Sequence, residues 1–401
     1  MSNTAFQEQF SASTQIGTRL TFAMAASAGL AVANIYYNQP MLGVMEQDLP
    51  GGLTGFVPTS TQFGYAVGLF ILVPLGDLIE RRRLILIQFV LLVIALVAAA
   101  LSPSAAMLLV VSMLLGMAST VAQQIVPFAA QLAPLNRRGA VVGTVMSGVL
   151  CGILLSRTLS GFVAAHYGWR VMYWVGVPLA LTAGGLMAAT LPRSAPVIQS
   201  SYARLIASIF SLWREFRELR TAAITQALLF GAFTTFWSIL ALRLQEPEFG
   251  LDAQIAGLFG IVGAIGILAA PIAGRMADRR GPHRVIITGT LLTLVSWGLF
   301  GVWSSTTGVV VSCILLDFSV QSVLVSNQHI VYTLRPEARS RLNTIFMGSM
   351  FLGGAAGAAA AIEAWKLGGW SAVSMLGALL AFFATIVQLV AACRRIEIRN
   401  S

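Results

Sequence analysis

Twelve apolar stretches, each long enough to cross a lipid bilayer, constrain this chain more than anything else in it. A helix needs roughly 20 apolar residues to span the hydrocarbon core. Candidates lie at 18–41, 58–78, 83–101, 105–131, 140–165, 170–190, 221–243, 253–276, 284–303, 307–333, 341–364 and 370–392. The runs are long and lack dyad alternation, so helices rather than a barrel are expected. Composition agrees: of 401 residues, 57% are hydrophobic and 10% charged, against about 25% charged in soluble domains. So few charges cannot cover a water-soluble body of this length, and the remaining solvent is lipid. The expected fold class is an all-α membrane protein with twelve transmembrane helices.

A formal charge of +10 could mark a nucleic-acid binder, so the position of the cations decides. With both termini cytoplasmic, 21 of the 25 Lys and Arg residues fall inside, from Arg19 and Arg81–Arg83 to Arg399. Only Arg170, Arg243 and Lys366 fall outside, and Arg157 lies within a span. This is the positive-inside bias, and no nucleic-acid partner is needed to explain it. The first 17 residues are polar and lack an apolar core, so no cleavable signal is expected. Cys151, Cys313 and Cys393 fall in apolar segments, which argues against a disulfide framework.

The chain repeats itself at an offset of about 201 residues. Pro74-Leu75-Gly76-Asp77 with Arg81, Arg82 and Arg83 closes the second span, and Gly274 to Arg284, containing Asp278, Arg279 and Gly281, closes the eighth. Leu132, Pro134 and Arg137 likewise match Leu334, Pro336 and Arg339. Two matches in register with the helix count point to duplication. The expected domains are an N-terminal six-helix bundle over 1–191, a cytoplasmic linker over 192–220 and a C-terminal bundle over 221–401. In the linker, Tyr202, Leu205, Ile206, Ile209, Trp213, Phe216 and Leu219 recur at helical spacing opposite Arg204, Arg214, Arg217, Glu215 and Glu218. An amphipathic helix on the cytoplasmic membrane surface is expected, tethering the halves or binding a partner.

Gly274 to Arg284 closely resembles the loop signature of the major facilitator superfamily, Gly-x-x-x-Asp-Arg-x-Gly-x-Arg, and Asp77 with its arginines looks like a degraded first copy. That copy has Val73 and Glu80 where the signature has glycines, which leaves its loop geometry open. The resemblance implies two pseudo-symmetric bundles that rock about a central site. It also implies a conformational latch of Asp77, Arg81 and Arg82, mirrored by Gly274, Asp278, Arg279 and Arg284. A carboxylate at one helix end against a neighbouring N-terminus and an arginine gives the latch a physical basis. The plainer alternative is helix capping and topology. Gly148 to Gly161 also resembles the drug-exporter antiporter signature, with Ser156 and Arg157 replacing a Gly-Pro pair. The arginine such exporters carry in the fourth helix is absent, and Ser112 stands there.

Arg157 and Asp317 are deep in their spans, roughly 12 and 15 Å from the outer ends at 1.5 Å per residue. Buried ions are costly and usually functional. The two form a candidate coupling pair, either fixed as an ion pair or switched when Asp317 takes a proton. Asn34, Tyr37, Asn38, Gln123, Gln124, Gln226, Trp237, Gln321 and Asn327 form the candidate substrate cavity, on the first, fourth, seventh and tenth helices that line it in the resembled family. Each can equally be an interhelical hydrogen-bonder.

A phosphate loop needs a lysine before Ser or Thr, and the sole lysine, Lys366, precedes Leu367. No nucleophile–base constellation or metal spacing appears, so neither catalysis nor a cofactor is expected. The expected function is proton-coupled efflux of a small organic solute across the bacterial inner membrane, by a multi-pass monomer. The alternatives are proton-coupled uptake of a small organic metabolite, anions included, and a receptor that binds without transport.

Overall fold

The computed structural model describes residues 17–134, 137–193, 202–263, 281–335 and 338–400, with residues 272, 275, 276 and 279; the side chains of Asp77 and residues 395–400 lie outside the description. Helices and turns account for the described residues, with no strand among them. Thr18–Asp48, Thr54–Gly76, Arg81–Ala100, Ala105–Leu132, Arg138–Tyr167 and Trp169–Thr190 are the first six spans. Arg217–Gln245 is the seventh, and Ala253–Gly263 stands in the place of the eighth. Pro282–Val302 and Thr306–Leu334 are the ninth and tenth. Arg339–Arg394 contains the eleventh and twelfth, because Gly368 and Gly369 leave helical geometry.

The duplication is visible in the backbone. The fifth span crosses the first so closely that a Cβ on Gly148 or Gly152 would lie 2.3 Å from the Ala25 oxygen or 2.2 Å from the Gly29 oxygen. The eleventh crosses the seventh in the same way: a Cβ on Gly353 or Gly357 would lie 2.1 Å from the Ala227 oxygen or 2.2 Å from the Gly231 oxygen. Small residues permit such approach in lipid. The turns repeat as well. Gly168 (φ +86°) separates the fifth and sixth spans, and Gly369 (φ +56°) separates the eleventh and twelfth. The two loop signatures differ here. Gly281 caps the ninth span at φ +82°, whereas Glu80, its counterpart before the third, sits at φ −57°. Losing the glycine removes the left-handed turn.

Apolar side chains such as Val90, Ile94 and Leu155 lie on the outside, about 60% exposed. Bands of this kind belong against lipid. Between the halves the fifth and eighth spans touch backbone to backbone: a Cβ on Gly161 would lie 2.5 Å from the Ala253 oxygen, and Thr158 donates to the Gly257 oxygen at 3.2 Å. The second and eleventh meet through side chains, with Tyr65 and Phe351 rings 4.3 Å apart and Phe70 against Gly348.

Two expectations are corrected. The first span runs on to Asp48 rather than ending at 41, because Leu42, Gly43 and Met45 are buried by protein, with Gly43 against Gln245 of the other half. The linker helix, Tyr202–Glu215, does not spend its apolar face on the membrane surface. Leu205, Ile209 and Leu212 are buried, the latter two with Leu219, Val331, Leu342 and Phe346, because the ends of the seventh, tenth and eleventh spans offer an apolar patch. Its ends reach both halves: the Tyr202 hydroxyl donates to the Ile71 oxygen at 3.1 Å, and Glu215 pairs with Arg335.

Candidate functional site, a cavity between the halves

The first span is not one uniform helix. At 34–37 the backbone bonds tighten, running from Asn34 to Ala31, Ile35 to Val32 and Tyr36 to Ala33. Each residue of such a turn advances about 120° rather than 100°, so over four residues the later face rotates by about 80°. The expected stripe is thereby lost. Asn34 donates to the Leu30 oxygen at 2.8 Å, Asn38 donates to Thr61 Oγ1 at 2.8 Å, and Tyr37 is packed in the core. Tyr36 and Gln39 take their places at the interior.

Arg157, 3% exposed, is held there by groups that do not neutralise it. Its Nε donates to Gln39 Oε1 at 2.9 Å. Its guanidinium carbon lies 3.8 Å from the Trp237 ring centre, 4.7 Å from that of Tyr36 and 5.8 Å from that of Phe233. Aromatic faces stabilise a cation in this way, about 2 kcal/mol when desolvated. Asp317 is the only buried acid among the described residues, and the Cys313 thiol donates to its Oδ2 at 3.6 Å. No ion pair within 4.0 Å joins Arg157 to Asp317. The fixed-pair alternative therefore does not hold in this conformation: the guanidinium is seated on rings instead.

Both charges line one cavity of about 320 Å³ between the halves, a size within the range of small-molecule sites. From Arg157 it follows Leu154, Ile153, Leu150 and Met146 down the fifth span, and from Asp317 it follows Gln321, Leu324 and Gln328 down the tenth. It thus extends towards the arginine-rich face, while the Gly161–Gly257 contact packs the opposite side. An aromatic arc walls it: Tyr65, Phe351, Phe230 and Phe233 are linked by centroid distances of 4.3, 5.2 and 5.4 Å. A second recess, lined by Arg217, His283 and Arg394, measures about 90 Å³ and is too small for an organic solute.

Of the expected cavity residues, Gln123, Gln226 and Gln321 line it. Gln123 donates to the Tyr65 hydroxyl at 3.1 Å. Asn327 stands behind, 3.4 Å from Gln226 Oε1, and Trp237 supports Arg157. Gln124 does not line it, because it donates to the Leu72 oxygen at 2.7 Å and seats against Gly76. Tyr36, Gln39, Tyr65 and Phe351 were not expected at the site. Phe230, Phe233 and Trp237 do share a stripe at i, i+3 and i+7, a pattern that reads equally as core.

The latch is partly in view. Gly274, Asp278 and the Asp77 side chain lie outside the described residues. Arg81 Nε donates to the Gly76 oxygen at 3.1 Å, Arg82 donates to the Ala188 oxygen at 2.7 Å, and Arg279 and Arg284 are exposed. These two bonds stay within the N-terminal half. No cluster of three metal-ligating side chains occurs among the described residues.

Comparisons with known proteins agree with this architecture. A family profile described as Major Facilitator Superfamily matches twice, over residues 21–269 and 222–400. The uncharacterized transporter YgaY of Escherichia coli O157:H7 is 40% identical over 382 residues, covering 93% of this chain and 95% of that protein. Among solved structures, a mutant form of the nucleoside transporter NupG superposes with a TM-score of 0.72 at 12% identity, over 93% of this chain and 98% of that one. A D-xylose-proton symporter does so with 0.70 at 18% identity, over 91% and 96%. Twelve spans in two repeated halves, an internal cavity between them and these matches together make this chain a member of the major facilitator superfamily, a multi-pass membrane transporter and not an enzyme.

Proposed function

We propose that the chain moves a small organic solute through this cavity across the bacterial inner membrane, as a monomer, by proton-coupled alternating access. Residues 1–191 and 221–401 are the rocking units and 192–220 their tether. Asp317 carries the proton. The single observation behind this is a cavity at the interface of two repeated bundles with one buried acid and one buried cation on its wall. Repeat interfaces near the bilayer midplane are where such transporters bind substrate and coupling ion.

Direction follows from the sign of the coupling. Export by antiport needs proton and solute to exclude each other, and the antiporter-like glycines of the fifth span support it. Uptake by symport needs them to favour each other. Arg157, which lacks an acid partner within 4.0 Å among the described residues, supports that second reading.

In proteoliposomes with an imposed pH gradient and a panel of solutes, Asp317→Asn should abolish the response to the gradient while preserving exchange at equal pH. Unchanged gradient-driven transport would remove Asp317 from the proton path. The latch remains part of the proposal: Asp77→Asn should slow flux with folded protein retained. Loss of folded protein without a separable flux defect would favour simple capping.

A further inference from the structure

We infer that the transported solute is an organic anion, a carboxylate on an apolar or aromatic body, and that Arg157 binds the carboxylate. The inference rests on reading the cavity as the solute site.

Three buried donors, on Arg157 and on two side chains in contact with it, have no hydrogen-bond acceptor in the protein: Arg157 Nη2, Gln39 Nε2 and Trp237 Nε1; Arg157 lines the cavity, and the other two stand behind it. Each side chain is at most 3% exposed. Their directions are chemically forced. Gln39 gives its oxygen to Arg157 Nε, so its amide NH₂ is the end left over, and an indole nitrogen can only donate. Trp237 and Gln39 both touch Arg157, so the unmet donors share one neighbourhood. Trp237 also neighbours Asp317, but its Nε1 does not reach hydrogen-bond geometry with that carboxyl. Buried donors without acceptors are rare in folded proteins and need a cause. A carboxylate in the cavity supplies one for Arg157, the one of the three that lines it, since its two oxygens accept several charge-assisted bonds at once.

Charge points the same way. The aromatic faces stabilise Arg157 without cancelling it, and Asp317 stands beyond 4.0 Å. An ammonium solute could turn to Asp317 on the same wall, but it would leave the Arg157 donor without an acceptor. Beside Gln123, Gln226 and Gln321 the wall carries Phe230, Phe233, Phe351 and Met350, an aromatic surface that matches an apolar body better than a polyol, which would need polar partners all round. Because protonating Asp317 removes a like charge from the cavity, anion and proton favour each other, which sides with the uptake reading.

The test is equilibrium binding, which needs no flux and so can fail separately from the transport reading. The purified full chain in detergent is titrated calorimetrically with 2-naphthoate, 2-naphthamide and 2-naphthylmethylamine, three probes of one shape and different charge. The carboxylate should bind about tenfold or more tightly than the amide, and the amine weakest. Arg157→Gln should erase the preference for the carboxylate, and Arg157→Lys should keep part of it. Asp317→Asn, which leaves Arg157 in place, should bind the carboxylate more tightly still, so the inference stays testable if Arg157→Gln does not fold. Equal binding of the three probes, preference for the amine, no carboxylate binding to the unaltered chain, or weaker carboxylate binding to Asp317→Asn would each overturn it. Any of these could occur while Asp317→Asn still loses its gradient response, leaving proton coupling intact.

Discussion

The crossing of spans one and five and the crossing of spans seven and eleven use the same device, glycine backbones against carbonyl oxygens at 2.1–2.3 Å from the would-be Cβ atoms. The residues they carry to the interior do not match. Gly148 and Gly152 correspond to Gly353 and Gly357, an offset of 205, which pairs Arg157 with Ile362. Leu132 corresponds to Leu334, an offset of 202, which pairs Asp317 with Leu115. Ile362 and Leu115 are both 2% exposed in apolar cores. Each half therefore keeps the scaffold and supplies one charge that the other lacks. Duplication preserved what holds helices together, and divergence made the site. A cavity with a cation from one half and an acid from the other changes its electrostatics whenever the halves move, which a symmetric pair of walls could not do.

Transplanting the charges is the harshest way to break this comparison. Ile362→Arg and Leu115→Asp would each bury an ion among apolar side chains, costing about 3 kcal/mol or more. Loss of monodisperse protein on size-exclusion chromatography is the expected outcome. Tolerance of either would mean that the matching positions are as polar as the cavity itself.

The scaffold should respond symmetrically instead. Gly152→Val and Gly357→Val should each lower stability by about 1–3 kcal/mol, read as similar drops in thermal midpoint. Gly143→Val, with nothing within 4 Å of its Cβ position, should be near neutral. Very unequal losses at Gly152 and Gly357 would show that the two crossings are not equivalent.

The smallest effect sharpens the site on the N-terminal side. Tyr36→Ala removes a ring from under Arg157 and should weaken solute affinity by about 1 kcal/mol, or roughly fivefold. Tyr37→Phe should leave affinity unchanged, and the apparent KM for flux separates the two. A larger effect at Tyr37 would restore the face expected from regular helical periodicity.

Span number, duplication and cytoplasmic bias were legible from residue order alone. A run of apolar residues must meet lipid or a core, and arginine distribution orients it, so neither depends on how helices pack. Arg157 and Asp317 stood out for the same reason, since an ion deep in a bilayer is costly wherever its helix is turned. Tertiary structure decided everything that depends on azimuth and partner. The tight turn at 34–37 rotated Tyr36 and Gln39 inward where an unbroken helix would have presented Tyr37 and Asn38. Gln124 was drawn to the backbone of the second span, although Gln123 beside it reached the cavity. Arg157 settled on Trp237 and Tyr36 rather than on the acid at its own depth, because distances between helices are set by packing, which depth along a span does not report. The linker helix showed the same limit: its amphipathic pattern required an apolar neighbour, and only the assembled bundle determined that this neighbour is protein and not lipid.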